Sequence, residues 1–185
     1  MLWFKIWIIR VVSMKPKAIV FGCTGQDGSY LCKSLINKNY EVIGTSRKQT
    51  PNLSRLRSLD IAQRFKVVRC NLENFEETKD TINRFKPLEI YNLSAQSSVG
   101  NSFIKPVETQ KSIVNATIII LEVCRVIGLD SNIFHAGSSE IYGSTKTPAD
   151  IDGTIDLRSP YATAKYQSYL ISEMYRNIYK LNCVT

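Results

Sequence analysis

The sequence predicts an α/β domain built on a doubly wound parallel sheet, and three observations carry that prediction. Short apolar runs alternate along the chain with longer segments of helical spacing. The first run, Ala18 to Phe21, is closed by Gly22-x-x-Gly25-x-x-Gly28, which opens the next helical segment. Far downstream, Tyr161-x-x-x-Lys165 begins another helical pattern. Strands alternating with helices at this spacing are joined by right-handed crossovers and bury the sheet on both faces.

The elements follow in order. Ala18-Ile19-Val20-Phe21 has no polar interruption, as suits a strand covered on both sides. Gly28 to Asn39 repeats Leu31, Leu35 and Ile36 at helical spacing, and Glu41 to Thr45 is the second strand. A polar stretch containing Pro51 leads to a helix around Leu53 to Ala62. Phe65 to Cys70 reads as strand, Phe75 to Phe85 as helix and Glu89 to Leu93 as strand. Val107 to Ile127 is helical despite the β-branched Ile118-Ile119-Ile120, because it exceeds a strand in length and Gly128 supplies a stop. Asn132 to Ala136 is the fifth strand, Tyr161 to Tyr179 a helix, and Leu181 to Thr185 the opening of a sixth strand. The pattern is that of a Rossmann-type domain over residues 14–185.

A chain of 185 residues, 44% hydrophobic and 22% charged, has the composition of one soluble globular domain. The net charge of +8 suits an anionic partner. Because the basic residues are scattered, a small phosphorylated ligand is favoured over nucleic acid. Cys23, Cys32, Cys70, Cys124 and Cys183 are odd in number, lack metal-ligand spacing and lie in apolar segments, which points to reduced thiols in the cytoplasm and to no metal. Residues 1–13 (MLWFKIWIIRVVS) are apolar but too short to span a bilayer, so no membrane span is expected. They read as an extension outside the core, with Met14 as the working start. A membrane-surface anchor is the alternative, since Trp3, Phe4, Trp7, Lys5 and Arg10 suit an interface.

The chemistry concentrates at a few places. Gly22-Cys23-Thr24-Gly25-Gln26-Asp27-Gly28 lies between a strand and a helix, where glycines admit a pyrophosphate to the free amides of the helix N-terminus. Arg47-Lys48 follows the second strand, where a carboxylate would bind the ribose hydroxyls of NAD. Two cations there suit the additional phosphate of NADP, and a solvated basic loop is the plainer reading. Tyr161 and Lys165 share one helix face, so the ammonium favours a phenolate that can take a hydroxyl proton. Ser138 follows the fifth strand and can bond the same substrate oxygen, while Glu140 is placed to act as a base. His135, the only histidine, reads as structural.

These residues carry a resemblance. Gly22 to Leu31, Ile90-Tyr91-Asn92-Leu93-Ser94-Ala95-Gln96-Ser97, Ser139-Glu140-Ile141-Tyr142-Gly143 and Arg158-Ser159-Pro160-Tyr161 resemble the extended short-chain dehydrogenase/reductases and, among them, the GDP-mannose 4,6-dehydratase family. The likeness runs from about Lys17 to the last residue. It implies NADP as cofactor and a sugar nucleotide, GDP-mannose, as substrate, which is oxidised at C4, loses water across C5 and C6 and is reduced at C6. It implies catalytic roles for Ser138, Glu140, Tyr161 and Lys165, an adenine flanked by Asn71 and Leu72, and a cofactor beside Leu93, Ser94, Ala95, Gln96 and Ser97. It also implies a homo-oligomer in the full-length form.

Three positions depart from the family pattern: Asn71 stands for Asp, Ser138 for Thr, and Glu108 for a cofactor-contacting Tyr. The family continues past Thr185, so the expectation is a C-terminally truncated member, inactive alone and left with an uncovered sheet edge. The alternatives are another sugar-nucleotide enzyme of the superfamily (a UDP-glucuronate decarboxylase, epimerase or reductase) or a non-catalytic nucleotide-binding remnant.

Overall fold

Six parallel strands in the spatial order β3-β2-β1-β4-β5-β6 form the centre of the computed structural model, which describes residues 15–146 and 148–185. They are β1 Lys17–Phe21, β2 Glu41–Ser46, β3 Lys66–Arg69, β4 Glu89–Asn92, β5 Asn132–His135 and β6 Cys183–Val184. The order reverses between β1 and β4, which pair in register from Ala18↔Glu89 to Phe21↔Asn92. A reversal of this kind opens a crevice at the carboxyl ends of the two central strands. The doubly wound expectation is met, and the sixth strand pairs with β5 through Ile133↔Cys183.

The strand alternation sorts the core into two layers. Ala18 and Val20 face one side, where α1 (Gln26–Asn37) and α2 (Ser54–Ser58) bring Cys32, Leu35 and Leu56. Ile19 and Phe21 face the other, against α3 (Phe75–Phe85), α6 (Ala116–Ile127) and α7 (Pro160–Tyr179). Over β4–β6 the first side is open among the described residues: Phe134 and Val184 are exposed, and the Phe134 ring lies 6.2 Å from that of Tyr91. All five cysteines are buried and free. Burial raises the thiols of Cys23 and Cys124 to about 12, as inert core thiols require.

Three elements differ from the sequence reading. The helix expected to Ala62 stops at Ser58, because Asp60 takes a left-handed conformation (φ 57°) and turns the chain. An unexpected helix, α4 (Val99–Ile104), starts on a Ser98 hydroxyl that accepts from the Asn101 amide at 3.2 Å. Lys105 precedes Pro106 and leaves the helical region (φ −131°, ψ 61°), so Pro106 opens a new helix, α5 (Pro106–Gln110), at its first position. The helix expected from Val107 to Ile127 is continuous but carries a π turn at Lys111–Asn115 between α5 and α6. The extension of residues 1–13 and the Met14 start lie outside the described residues. No helix among the described residues is long and apolar enough to cross a membrane. No group of three or more His, Cys, Asp or Glu there could hold a metal.

Gly22 (φ 85°) is the residue that lets β1 end against β4. A Cβ at this position would lie 2.6 Å from the Leu93 carbonyl oxygen and 2.8 Å from the Ser94 amide nitrogen. Gly22→Ala is therefore expected to cost at least about 2 kcal/mol through strain and clash, a fall of about 4–8 °C in Tm. An unchanged thermal melt would show that the strand ends can separate without penalty.

Candidate active site

The cradle is built by local rules. Gly22 turns the chain out of β1, its carbonyl accepts from the Gly25 amide at 3.0 Å, and α1 begins from Gly25 without any side-chain cap. The amides of the first helical turn therefore remain available, at the positive end of a helix of 12 residues. Gly28 has no room for a side chain either, because a Cβ would run into the Gly22 carbonyl. The result is a backbone surface that a pyrophosphate can approach closely.

A cleft of about 450 Å³ opens beside this cradle. Of the residues singled out by sequence, Gly22, Thr24, Gly25, Arg47, Lys48, Asn71, Leu72, Leu93, Ser94, Ala95 and Gln96 line it. Others lie elsewhere. The Cys23 side chain is buried and donates toward the Thr45 carbonyl at 3.4 Å. Gln26 and Asp27 occupy the exposed first turn of α1, and Ser97 is exposed beyond the lining.

Sequence reasoning missed several cleft residues. Arg55, in α2, reaches back to the Thr24 carbonyl at 3.4 Å and adds a third cation beside Arg47 and Lys48, against one carboxylate, Glu73. Ser112 on the π turn lines the cleft and accepts from the Gln96 amide at 3.3 Å. The Gln96 side chain donates to the Ser98 carbonyl and to the Thr109 hydroxyl, pinning the loop after β4 to α4 and α5. Ala95 sits at φ 146° within this loop, a conformation that costs a non-glycine residue about 1–3 kcal/mol and persists where the surroundings enforce it.

The proposed catalytic residues form a neighbouring cluster. Ser159 caps α7 by accepting from the Ala162 amide at 3.0 Å, and Pro160 occupies the first helical position. Tyr161 is buried against Ile113 of the π turn, Val99 and Ala164. One turn on, Lys165 donates from Nζ to the Ala136 carbonyl at 2.7 Å and lies 5.7 Å from the Tyr161 ring centroid. Burial lowers the Lys165 ammonium to about 8. Ser138 caps a short 3₁₀ turn (Ser139–Tyr142), its hydroxyl accepting from the Glu140 amide at 3.3 Å, and that turn packs on α7 with Glu140 exposed. None of these four side chains lines the cleft itself.

His135 lies beneath both groups. Asn92 accepts from the Ser94 hydroxyl at 2.7 Å and faces His135 Nδ1 through its own Nδ2 at 3.2 Å. With Asn92 as donor, the imidazole proton sits on Nε2, which is buried without a partner among the described residues. Burial, followed by the nearby Lys165 charge, lowers His135 to about 3 and keeps it neutral. It packs the strand ends and does not face the cleft.

Known proteins share this architecture. The family profile described as GDP-mannose 4,6 dehydratase matches residues 19–185. The chain is 35% identical to GDP-mannose 4,6 dehydratase 2 of Arabidopsis thaliana, over 92% of this chain and 49% of the relative. It is 37% identical to GDP-mannose 4,6-dehydratase of Vibrio cholerae, over 90% of this chain and 47% of the relative. In three dimensions it is similar to UDP-glucose 4-epimerase from Brucella ovis in complex with NAD, with a TM-score of 0.81 at 20% identity over 91% of this chain and 50% of that one. The chain thus spans about half the length of the curated relatives it matches. With the profile running through the cradle, the cleft loops and the tyrosine–lysine helix alike, the chain belongs to the GDP-mannose 4,6-dehydratase family.

Proposed function

We propose that this chain forms the nicotinamide-binding half of an enzyme that dehydrates GDP-mannose to its 4-keto-6-deoxy form, with NADP as cofactor. The observation that carries the reading is the uncapped helix N-terminus at the switch point, together with the Tyr161–Lys165 pair on α7. A nicotinamide held there would supply a hydride acceptor that can be restored within the same turnover. Gly22, Gly25 and the amides of Gln26 and Asp27 would hold the pyrophosphate. Arg47, Lys48 and Arg55 would take the ribose phosphate, a charge set that a cofactor without that phosphate does not need. Asn71 and Leu72 would flank the adenine, and Leu93 to Ser97 would run beside the nicotinamide side.

The chain's own residues divide the proton work. Tyr161, with Lys165 below it and Ser138 on the same oxygen, would take the C4 hydroxyl proton. The ketone so formed acidifies the neighbouring C5 hydrogen, and the exposed Glu140 carboxylate would remove that proton as water departs from C6. Dehydration, in place of simple epimerisation, rests on this carboxylate standing next to the tyrosine helix.

Titration of NADP⁺ and NAD⁺ into the purified chain tests the cofactor. NADP⁺ is expected to bind at least about tenfold more tightly, and Arg47→Asp is expected to erase the preference. Equal affinities would leave NAD as the ligand.

Turnover is tested by joining this chain to the remaining half of the Vibrio cholerae relative. GDP-mannose is expected to give the 4-keto-6-deoxy product, with Tyr161→Phe and Glu140→Gln each lowering kcat by about 10²–10⁴. Carbon dioxide released from UDP-glucuronate would assign a decarboxylase instead. NADP⁺ binding without turnover in the fusion would assign a non-catalytic remnant.

The lysine can be tested through stability alone. Lys165 titrates at about 8 when folded, against about 10.4 in an unfolded chain. Below pH 8 the buried charge penalises the folded state in full. Between these two values the unfolded chain holds a proton that the folded chain has released, so stability rises with pH. Relative to Lys165→Met, the wild type should therefore gain in Tm between about pH 8 and 10. A constant difference would show that Lys165 is not desolvated.

A further inference from the structure

His135 is the sole histidine of the chain, and among the described residues its Nε2 is the one buried side-chain nitrogen or oxygen without a partner. It stands opposite Asn92 in the register of β4 and β5, and both side chains are buried. This pair touches both parts of the site. Asn92 holds Ser94, which lines the cleft. The Asn92 backbone carbonyl accepts from the Ala136 amide at 3.1 Å, and the Ala136 carbonyl is the one to which Lys165 donates.

One fixed donor assigns the protons of the whole group. The Ser94 backbone amide can only donate, so the Asn92 side-chain atom 3.3 Å from it is the carbonyl oxygen. The Asn92 amide nitrogen then faces His135 Nδ1 at 3.2 Å, which makes Nδ1 the acceptor and puts the imidazole proton on Nε2. The other tautomer, or an imidazolium, would set two donors against each other. Burial independently keeps the ring neutral. The Ser94 hydroxyl lies 2.7 Å from the same Asn92 oxygen and donates its only proton to it. What Ser94 offers the cleft is therefore its lone pairs alone, beside the cations Arg47, Lys48 and Arg55.

Leaving a buried donor unpaired costs about 1–3 kcal/mol. The unpartnered Nε2 is the consequence of keeping Nδ1 as an acceptor. We propose that His135 is a positioning residue: by holding the Asn92 amide in one orientation, it fixes Ser94 as a hydrogen-bond acceptor for a donor of the bound dinucleotide, either a ribose hydroxyl or the carboxamide N–H. The inference rests on the cofactor reading above and adds to it a residue that touches no ligand.

Two measurements test it. With a single histidine, the imidazole nitrogen NMR spectrum of the wild-type chain reports the tautomer without any ligand. A proton on Nε2, unchanged between about pH 5 and 8, is expected. A proton on Nδ1, or an imidazolium in that range, overturns the proposal. The second measurement is NADP⁺ affinity. His135→Leu deprives the Asn92 amide of its acceptor and should weaken binding by about tenfold. His135→Gln, whose Oε1 can accept from Asn92, should bind within about threefold of the wild type.

Ser94→Ala should cost about tenfold in the wild type and little more in His135→Leu, because both changes remove the same contact. Unchanged affinity in a folded His135→Leu or in Ser94→Ala, or fully additive losses, overturns the proposal in favour of a packing role. Should His135→Leu not fold, Ser94→Ala and the wild-type tautomer decide. The acetylpyridine analogue of NADP⁺, with a methyl in place of the carboxamide nitrogen, separates the two donors. An equal loss with Ser94→Ala assigns the ribose hydroxyl, and no loss assigns the carboxamide, each in support. Wild type that binds no NADP⁺ but carries the Nε2 proton would fail the cofactor reading, and the ligand of Ser94 with it. NADP⁺ binding with the proton on Nδ1 would fail this inference alone.

Discussion

The architecture depends on how closely the ends of β1 and β4 approach. Both are central strands, held in register to Phe21↔Asn92, and the Leu93 amide continues the ladder by donating to the Phe21 carbonyl at 3.0 Å. β1 must then leave the sheet within one residue, against backbone that has no space for a Cβ. Glycine at 22 satisfies the steric and the conformational demand together, with φ at 85°. Gly28 extends the same packing by seating α1 on the Gly22 carbonyl. The helix N-terminus thus points at the switch point because the backbone can pack in no other way, and the anion site is a product of that packing.

The π turn at Lys111–Asn115 links this cradle to the tyrosine helix. Inserting one residue into a helical turn sends neighbouring side chains to different partners. Ser112 accepts from the Gln96 amide on the cleft side, while Ile113 packs against Tyr161. The Ile113 carbonyl also accepts from the Thr117 hydroxyl at 2.9 Å and from Ser168 of α7 at 3.5 Å. These buried contacts, each worth about 1 kcal/mol net, fix α6 and α7 relative to the loop that carries Ala95. A regular helix over the same residues would serve one side or the other.

What the sequence disclosed, and what it withheld, divides along local and non-local physics. The Gly22–Gly28 cradle was legible because strand, glycine turn and helix are contiguous, and the Tyr161–Lys165 pair because one helical turn fixes its geometry. The helix expected from Tyr161 begins one residue earlier, at Pro160. Arg55 was not legible: it looks like Arg57 in sequence, and only the return of α2 over the β1–α1 turn brings one of them to the Thr24 carbonyl. α4 escaped because Val99-Gly100-Asn101-Ser102 lacks apolar periodicity, its stability coming from a cap and from packing against α7. The π turn escaped because the apolar pattern of Val107 to Ile127 is compatible with a regular helix. Its cause lies in partners on α7 and in the β4 loop.

The charge tells a similar story about reading chains in one dimension. Along the sequence the 24 basic residues look dispersed, which favours a small phosphorylated ligand over nucleic acid. A parallel sheet gathers them nonetheless, because each crossover returns the chain to the same end after one strand and one helix. Lysines and arginines placed just before successive strands therefore collect on one rim, as Lys17, Arg64 and Lys86 do. Those placed just after a strand collect on the other, as Arg47 and Lys48 do, with Arg55 folded back to join them. The two sets are separated by the length of the strands, and the apolar core between them carries no charge that could couple them. The excess positive charge is thus partitioned by topology into two ends of different chemistry. One is a cleft of glycine backbone and cations shaped for a small phosphorylated molecule, and the other an open rim of cations and phenyl rings at the strand amino ends.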